Sequence, residues 1–140
     1  MDKIDELLIT NLRENARTPT AELARALGLS RTTVQSRLER LERTGVVVGY
    51  TARLSETYEG GLIHAYVMIT LAKQTAAAVA AIRKMPHVRR LQSVSGPYDL
   101  IAVVAAPSVA AMDRLIDAIG ALEGVERTTS SIVLSTKFDR

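Results

Sequence analysis

The spacing of apolar residues along this chain changes once, near residue 46. Before that point it is helical. Ile4, Leu7, Leu8 and Leu12 recur near i, i+3, i+4 and i+8 and predict a first helix over residues 2–15. "RTPTAELARALG" opens a second helix: Thr18 or Thr20 can cap it, Pro19 suits its first turn and Gly28 its end. Its apolar face is Leu23, Ala24 and Leu27. Ser30 is the expected N-cap of a third helix, which reaches Thr44 and stops at Gly45 as a left-handed cap. "VVVGYTARL" (46–54) then reads as a short two-stranded ribbon turning at Gly49.

After the stretch "LSETYEGG" (54–61) the pattern is that of strands alternating with helices. "LIHAYVMITL" (62–71) is a strand and "QTAAAVAAIRKM" (74–85) a helix stopped by Pro86. "VRRLQSV" (88–94) and "DLIAVVAA" (99–106) are strands joined by a tight turn. "SVAAMDRLIDAIGAL" (108–122) is a helix and "VERTTSSIVLSTKF" (125–138) a last strand. The order β-α-β-β-α-β makes a ferredoxin-like sandwich, four antiparallel strands with both helices on one face. The expected class is therefore α+β. A winged helix-turn-helix covers residues 1–53, a linker 54–61 and a βαββαβ module 62–140.

The first strand of that module alternates. Ile63, Ala65, Val67, Ile69 and Leu71 share one face; Leu62, His64, Tyr66, Met68 and Thr70 share the other. Both faces carry apolar groups, whereas a sheet half open to water shows one polar face. Helices on one side and a partner's sheet on the other account for this, so a homodimer is expected. A twofold dimer would also present two copies of the helical unit to a palindromic site.

On the third helix, Val34, Leu38 and Leu41 form a narrow apolar stripe, at ~100° per residue. Thr32, Gln35, Ser36, Glu39 and Arg43 lie mainly opposite it, and Thr33, Arg37 and Arg40 lie along one flank. One side is thus anchored while the other offers hydroxyls, an amide and guanidinium groups. Arg pairs bidentately with guanine, Gln with adenine, and Thr or Ser meets either base or a thymine methyl. Flanking arginines suit phosphates, which position a protein without specifying sequence. The tight "ALGLS" turn fits a helix-turn-helix. The candidate DNA-contacting set is Ser30, Arg31, Thr32, Thr33, Gln35, Ser36, Arg37 and Arg40, with Arg53 of the ribbon near the backbone. The plain alternative is a solvated charged face on an ordinary surface helix.

Charge supports the first reading. Over the 140 residues the net charge is only +3. Between Arg25 and Arg53, however, six arginines face two acids, Glu39 and Glu42. Such a concentration can act as a phosphate-seeking footprint. Aromatic residues make up 4%, too few for a platform that stacks single-stranded bases. There is no cysteine, so disulfides and thiolate metal sites are excluded. His64 and His87, the only histidines, are too few for a metal centre and stand in no nucleophile–base arrangement. The first residues do not resemble a secretion signal, and no apolar run reaches the ~20 residues that span a bilayer. A cytoplasmic protein without a membrane partner is expected.

Four stretches resemble the leucine-responsive/asparagine-regulator (Lrp/AsnC) family of transcription regulators. They are "IDELLITNLRENAR", "AELARALGLSRTTVQSRLERLERTGVVVGYTARL", "GPYD" and "GVERTTSSIVLSTK". The resemblance implies dimers packed through their sheets, often assembled into octamers, and an amino-acid effector near the turn between the module's second and third strands. It places the family's Gly-x-x-Asp turn on Gly96 and Asp99, with Pro97 and Tyr98 between, and its Thr/Ser-rich last strand on Thr128 to Ser131. It places the reading-helix arginines on Arg37 and Arg40. Pro97 departs from the acidic or polar residue often found there and removes one backbone N–H. In such a site, turn N–H groups can meet a carboxylate, Asp99 an α-ammonium, and Ser130 or Ser131 a polar side chain. A plain turn held by Gly96 and Asp99 is the competing account.

The resemblance thus implies a sequence-specific regulator of double-stranded DNA, tuned by an amino acid and needing no cofactor. Two rivals remain. One is a DNA-binding architectural protein with no ligand. The other is an enzyme similar to the sirohaem decarboxylases, which share a two-part fold but would need a basic or histidine-lined macrocycle pocket.

Overall fold

In the computed structural model, residues 1–72 and 75–140 are described. The chain divides into two compact units, Met1–Leu54 and Ser55–Arg140.

The first unit holds α1 (Lys3–Glu14), α2 (Thr20–Leu27) and α3 (Arg31–Arg43). Asp2 caps α1, and its carboxylate and that of Asp5 each accept the other's backbone N–H, at 2.9 and 3.2 Å. Pro19 occupies the N-cap of α2 without a side-chain bond; the Thr18 hydroxyl instead donates to the Asn15 carbonyl, so neither threonine caps this helix. Gly28 ends α2 at φ +67°, and the Leu29 N–H reaches back to the Ala24 carbonyl. That left-handed step turns the chain into α3 within three residues. Leu8, Leu12, Leu23, Ala24, Val34 and Leu41 form the core, with Leu27, Leu29, Leu38 and Val47 packed around them. Leu7, expected on the apolar face of α1, is exposed; the buried stripe runs instead through Asp5, Leu8 and Leu12.

The expected ribbon after Gly45 is not formed. Residues 46–54 carry no strand. A two-stranded ribbon is only marginally stable without further packing, and of residues 46–54 Val47 alone packs on the helical core while the rest are exposed. The segment is tied to α3 by the Val47 N–H on the Leu41 carbonyl at 3.0 Å and by the Tyr50 hydroxyl on Glu42 at 2.8 Å. Partial burial, together with the Glu42 carboxylate, raises the pKa of the Tyr50 phenol.

The second unit opens with hydrogen-bonded turns over 55–62, where a linker was expected. It then runs β1 (Ile63–Leu71), α4 (Thr75–Arg83), β2 (Val88–Ser93), β3 (Leu100–Ala106), α5 (Val109–Gly120) and β4 (Val125–Ile132). The predicted start of the first helix at Gln74 lies outside the described residues. The strands form one antiparallel sheet in the order β2-β3-β1-β4. Ala65, Val67 and Ile69 of β1 and Leu100, Ala102 and Val104 of β3 pack with Ile82 of α4 and Met112, Leu115 and Ile119 of α5. β4 ends at Ile132, six residues short of the expected strand, because its neighbour β1 begins at Ile63; the Val133 N–H on the His64 carbonyl is the last rung. No helix among the described residues is long and apolar enough to cross a membrane.

Candidate nucleic-acid interface and effector turn

α3 is built to present one face. The Ser30 hydroxyl accepts the Thr33 N–H at 3.1 Å and pairs with the Thr33 hydroxyl at 2.7 Å, so both side chains serve the helix start. Val34 and Leu41 are buried beneath the helix, which fixes its rotation. Away from them Thr32, Gln35 and Ser36 stand exposed, and Arg31 is exposed at the first turn of the helix. Among the described residues only Gln35 of these four has a side-chain partner on its own helix, a 3.1 Å bond to Glu39 that a stronger acceptor or donor can exchange. Arg53 is exposed on the segment after α3.

Arg37 and Arg40 do not stand free on the flank where the wheel puts them. One Arg37 nitrogen donates to both carboxylate oxygens of Asp2, at 2.9 and 2.8 Å, and to Asp5 at 3.0 Å. Arg40 donates to the other Asp5 oxygen at 2.6 Å. Asp5 is 1% exposed, the one buried charged residue among those described. Burial by itself pushes its pKa up; the bonds from Arg37 and the Asp2 N–H, with the charge of Arg40, outweigh this and hold it below the usual carboxylate range. The Arg37 bond, reinforced by the Asp5 N–H, lowers Asp2 to about 2. Asp2, and after it Asp5, raise Arg37 in turn. The expectation that these two arginines reach phosphate therefore meets a competing engagement within the domain. Asp5 was readable from spacing: it lies at i−3 from Leu8 and i−7 from Leu12, an acid on an apolar stripe.

In the second unit the turn 94–99 joins β2 to β3 and closes on itself through the Val94 N–H and the Asp99 carbonyl, 3.1 Å apart. Gly96 sits at φ +100°, where other residues are strained. Pro97 and Asp99 are exposed and Tyr98 half-buried. The Asp99 carboxylate accepts the Leu71 N–H at 2.7 Å, at the point where the pairing of β1 with β4 slips register. Asp99 therefore ties β1 to the turn, and its second oxygen remains available. The hydroxyl of Thr70, one residue before Leu71, is buried and lacks a hydrogen-bond partner among the described residues, a group that pattern alone does not single out.

The serines do not join this turn. Ser131 pairs with Tyr66 and lies on the helix-free face; Ser130 pairs with Val67 and lies on the opposite one. Asp99 meets Ile69 and Leu71, three residues or more along β1 from Tyr66, roughly 10 Å at the rise of a strand. Within one chain, one small ligand cannot touch Asp99 and both serines. The helix-free face also carries Tyr66, 47% exposed, with Met68, Ile101 and Val103 beside it.

Two family models match the chain: the AsnC-type helix-turn-helix domain over residues 1–42 and the Lrp/AsnC ligand binding domain over residues 64–140. The HTH-type transcriptional regulator LrpA of Mycobacterium tuberculosis is 37% identical, over 99% of this chain and 93% of its own. A feast or famine regulatory protein from the same organism, solved in complex with L-methionine, is 36% identical with a TM-score of 0.87, covering 99% of this chain and 95% of that one. A transcriptional regulator from Neisseria meningitidis, also complexed with L-methionine, is 27% identical with a TM-score of 0.88, over 99% and 93% of the two chains.

Proposed function

The chain belongs to the Lrp/AsnC family of helix-turn-helix transcription regulators, not to an enzyme family, and from that premise we propose how it works. It reads duplex DNA with the exposed strip of α3, acts as a homodimer joined through the helix-free face of its sheet, and has its DNA binding tuned by an amino acid at the 94–99 turn.

The observation that carries the DNA half is the strip Arg31, Thr32, Gln35 and Ser36, exposed on a helix whose other side is locked by Val34 and Leu41. These side chains match the donor and acceptor patterns of base edges, and Arg31, Arg43 and Arg53 supply cations for phosphate. The dimer is supported by Tyr66, Met68, Ile101 and Val103, an apolar group on a face with no helix of its own. A twofold pairing there sets the distance between two reading helices.

The effector half is supported by the L-methionine complexes of the two relatives and by the chemistry of the turn. The free Asp99 oxygen suits an α-ammonium, and the Gly96 region offers backbone N–H to a carboxylate. Ser131 can complete such a site only from a second copy. The ligand alters DNA affinity by the difference between its affinities for two arrangements of the dimer. Thermal unfolding of the full chain against each of the common amino acids tests this half. A true effector at one hundred times its Kd adds about 2.7 kcal/mol of stability. A midpoint unmoved by every amino acid would leave a ligand-independent regulator.

A further inference from the structure

Arg37 and Arg40 stand one turn apart on α3, so a single group can receive both. That group is Asp5 of α1, with Arg37 on one oxygen at 3.0 Å and Arg40 on the other at 2.6 Å. Asp2 adds a second carboxylate to Arg37 at 2.8 Å. Two acids and two bases thus cancel across the α1–α3 junction. A buried carboxylate deprived of its cationic partner is strongly destabilising. The arginines cannot leave for phosphate without exposing Asp5, 1% accessible, to that penalty.

We propose that Asp5 is a positioning residue for DNA reading: it holds Arg37 and Arg40 as struts between α1 and α3 and keeps both off the phosphate backbone. The electrostatic contacts then fall to Arg25, Arg31, Arg43 and Arg53, which are exposed and form no ion pair among the described residues. The strut fixes the tilt of the exposed strip. It also removes two cations from sequence-independent attraction, which widens the gap between specific and non-specific affinity. This inference rests on α3 being the DNA-reading helix, so its test carries a control for that reading.

The experiment measures affinity of the full chain for one fixed duplex against salt concentration. Each phosphate contact contributes about 0.9 to the slope of log affinity against log salt. Arg43→Gln is the control and should flatten the slope by about 0.9. Arg40→Gln should leave the slope unchanged. Asp5→Asn should steepen it, by up to about 1.8 if both arginines reach phosphate, and raise affinity for random-sequence DNA. Asp5→Glu should restore the parent slope. A flattening of about 0.9 in Arg40→Gln would make Arg40 a phosphate contact and overturn the proposal. Should Asp5→Asn fail to fold, the Arg40→Gln slope decides alone. A parent protein with no salt-dependent binding would overturn the α3 reading itself, before any variant is compared.

Discussion

Replacing Asp99 by alanine removes the acceptor of the 2.7 Å bond from the Leu71 N–H and, with it, the charge offered to an α-ammonium. Hydrogen bonds to charged groups contribute about 1.5–3 kcal/mol when shielded. Asp99 is exposed and water can replace it, so the structural loss falls below that range, about 1 kcal/mol. For a unit the size of Ser55–Arg140 this lowers Tm by about 4–8 °C. Asp99→Asn keeps an oxygen acceptor for Leu71 and should cost about half as much. Both variants lose the charge. At one hundred times its Kd an effector supplies about 2.7 kcal/mol, more than either structural loss, so the two effects separate in one assay. Thermal unfolding with and without the stabilising amino acid should show Asn near the parent midpoint, Ala clearly below it, and neither variant raised by ligand. An Asn variant that keeps the full ligand shift would refute the pairing of Asp99 with the ammonium group.

Acid should loosen the helix-turn-helix unit through Asp2 and Asp5. Both carboxylates are held below their ordinary pKa, Asp2 at about 2 against 3.8, so the stability they contribute is fully present above pH 4 and drains as pH falls toward 2. Amide exchange in α1 should quicken across that window, and Arg37→Gln should blunt the dependence; an α1 equally protected at pH 2 and 5 would contradict it. Tyr66→Asp puts a charge in the centre of the helix-free face and should convert dimer to monomer in sedimentation while the fold persists by circular dichroism. An unchanged dimer would move the interface elsewhere.

The helical half of the first unit was legible because each signal is local. Ser30 caps α3, Gly28 and Gly45 take left-handed angles, and Val34 and Leu41 lie where the 3.6-residue period puts them. The alternation of β1 was equally plain, since Ala65, Val67 and Ile69 are all buried. What pattern could not supply depends on partners distant in sequence. "VVV" at 46–48 has strand-forming residues but pairs with no strand among the described residues, and Val48 stays 94% exposed. β4 stops where β1 runs out. Arg37 and Arg40 looked free on a wheel that contains only their own helix; Asp5, 32 and 35 residues away, redirects them. Ser130 and Ser131 are adjacent in sequence and therefore on opposite faces, which the period of a strand does predict once the strand's pairing is known.

The central claim is that the exposed strip of α3 reads bases. Selection of bound duplexes from a random pool tests it most directly, run in parallel with the parent protein and with Gln35→Ala and Thr32→Ala. The parent should enrich an inverted repeat whose half-sites are separated by whole helical turns, about 10–10.5 base pairs each. Each variant should relax preference at one symmetric pair of positions and leave the rest, at about 1–3 kcal/mol per lost contact. Identical enriched sequences from all three proteins would contradict the claim and move base recognition away from α3.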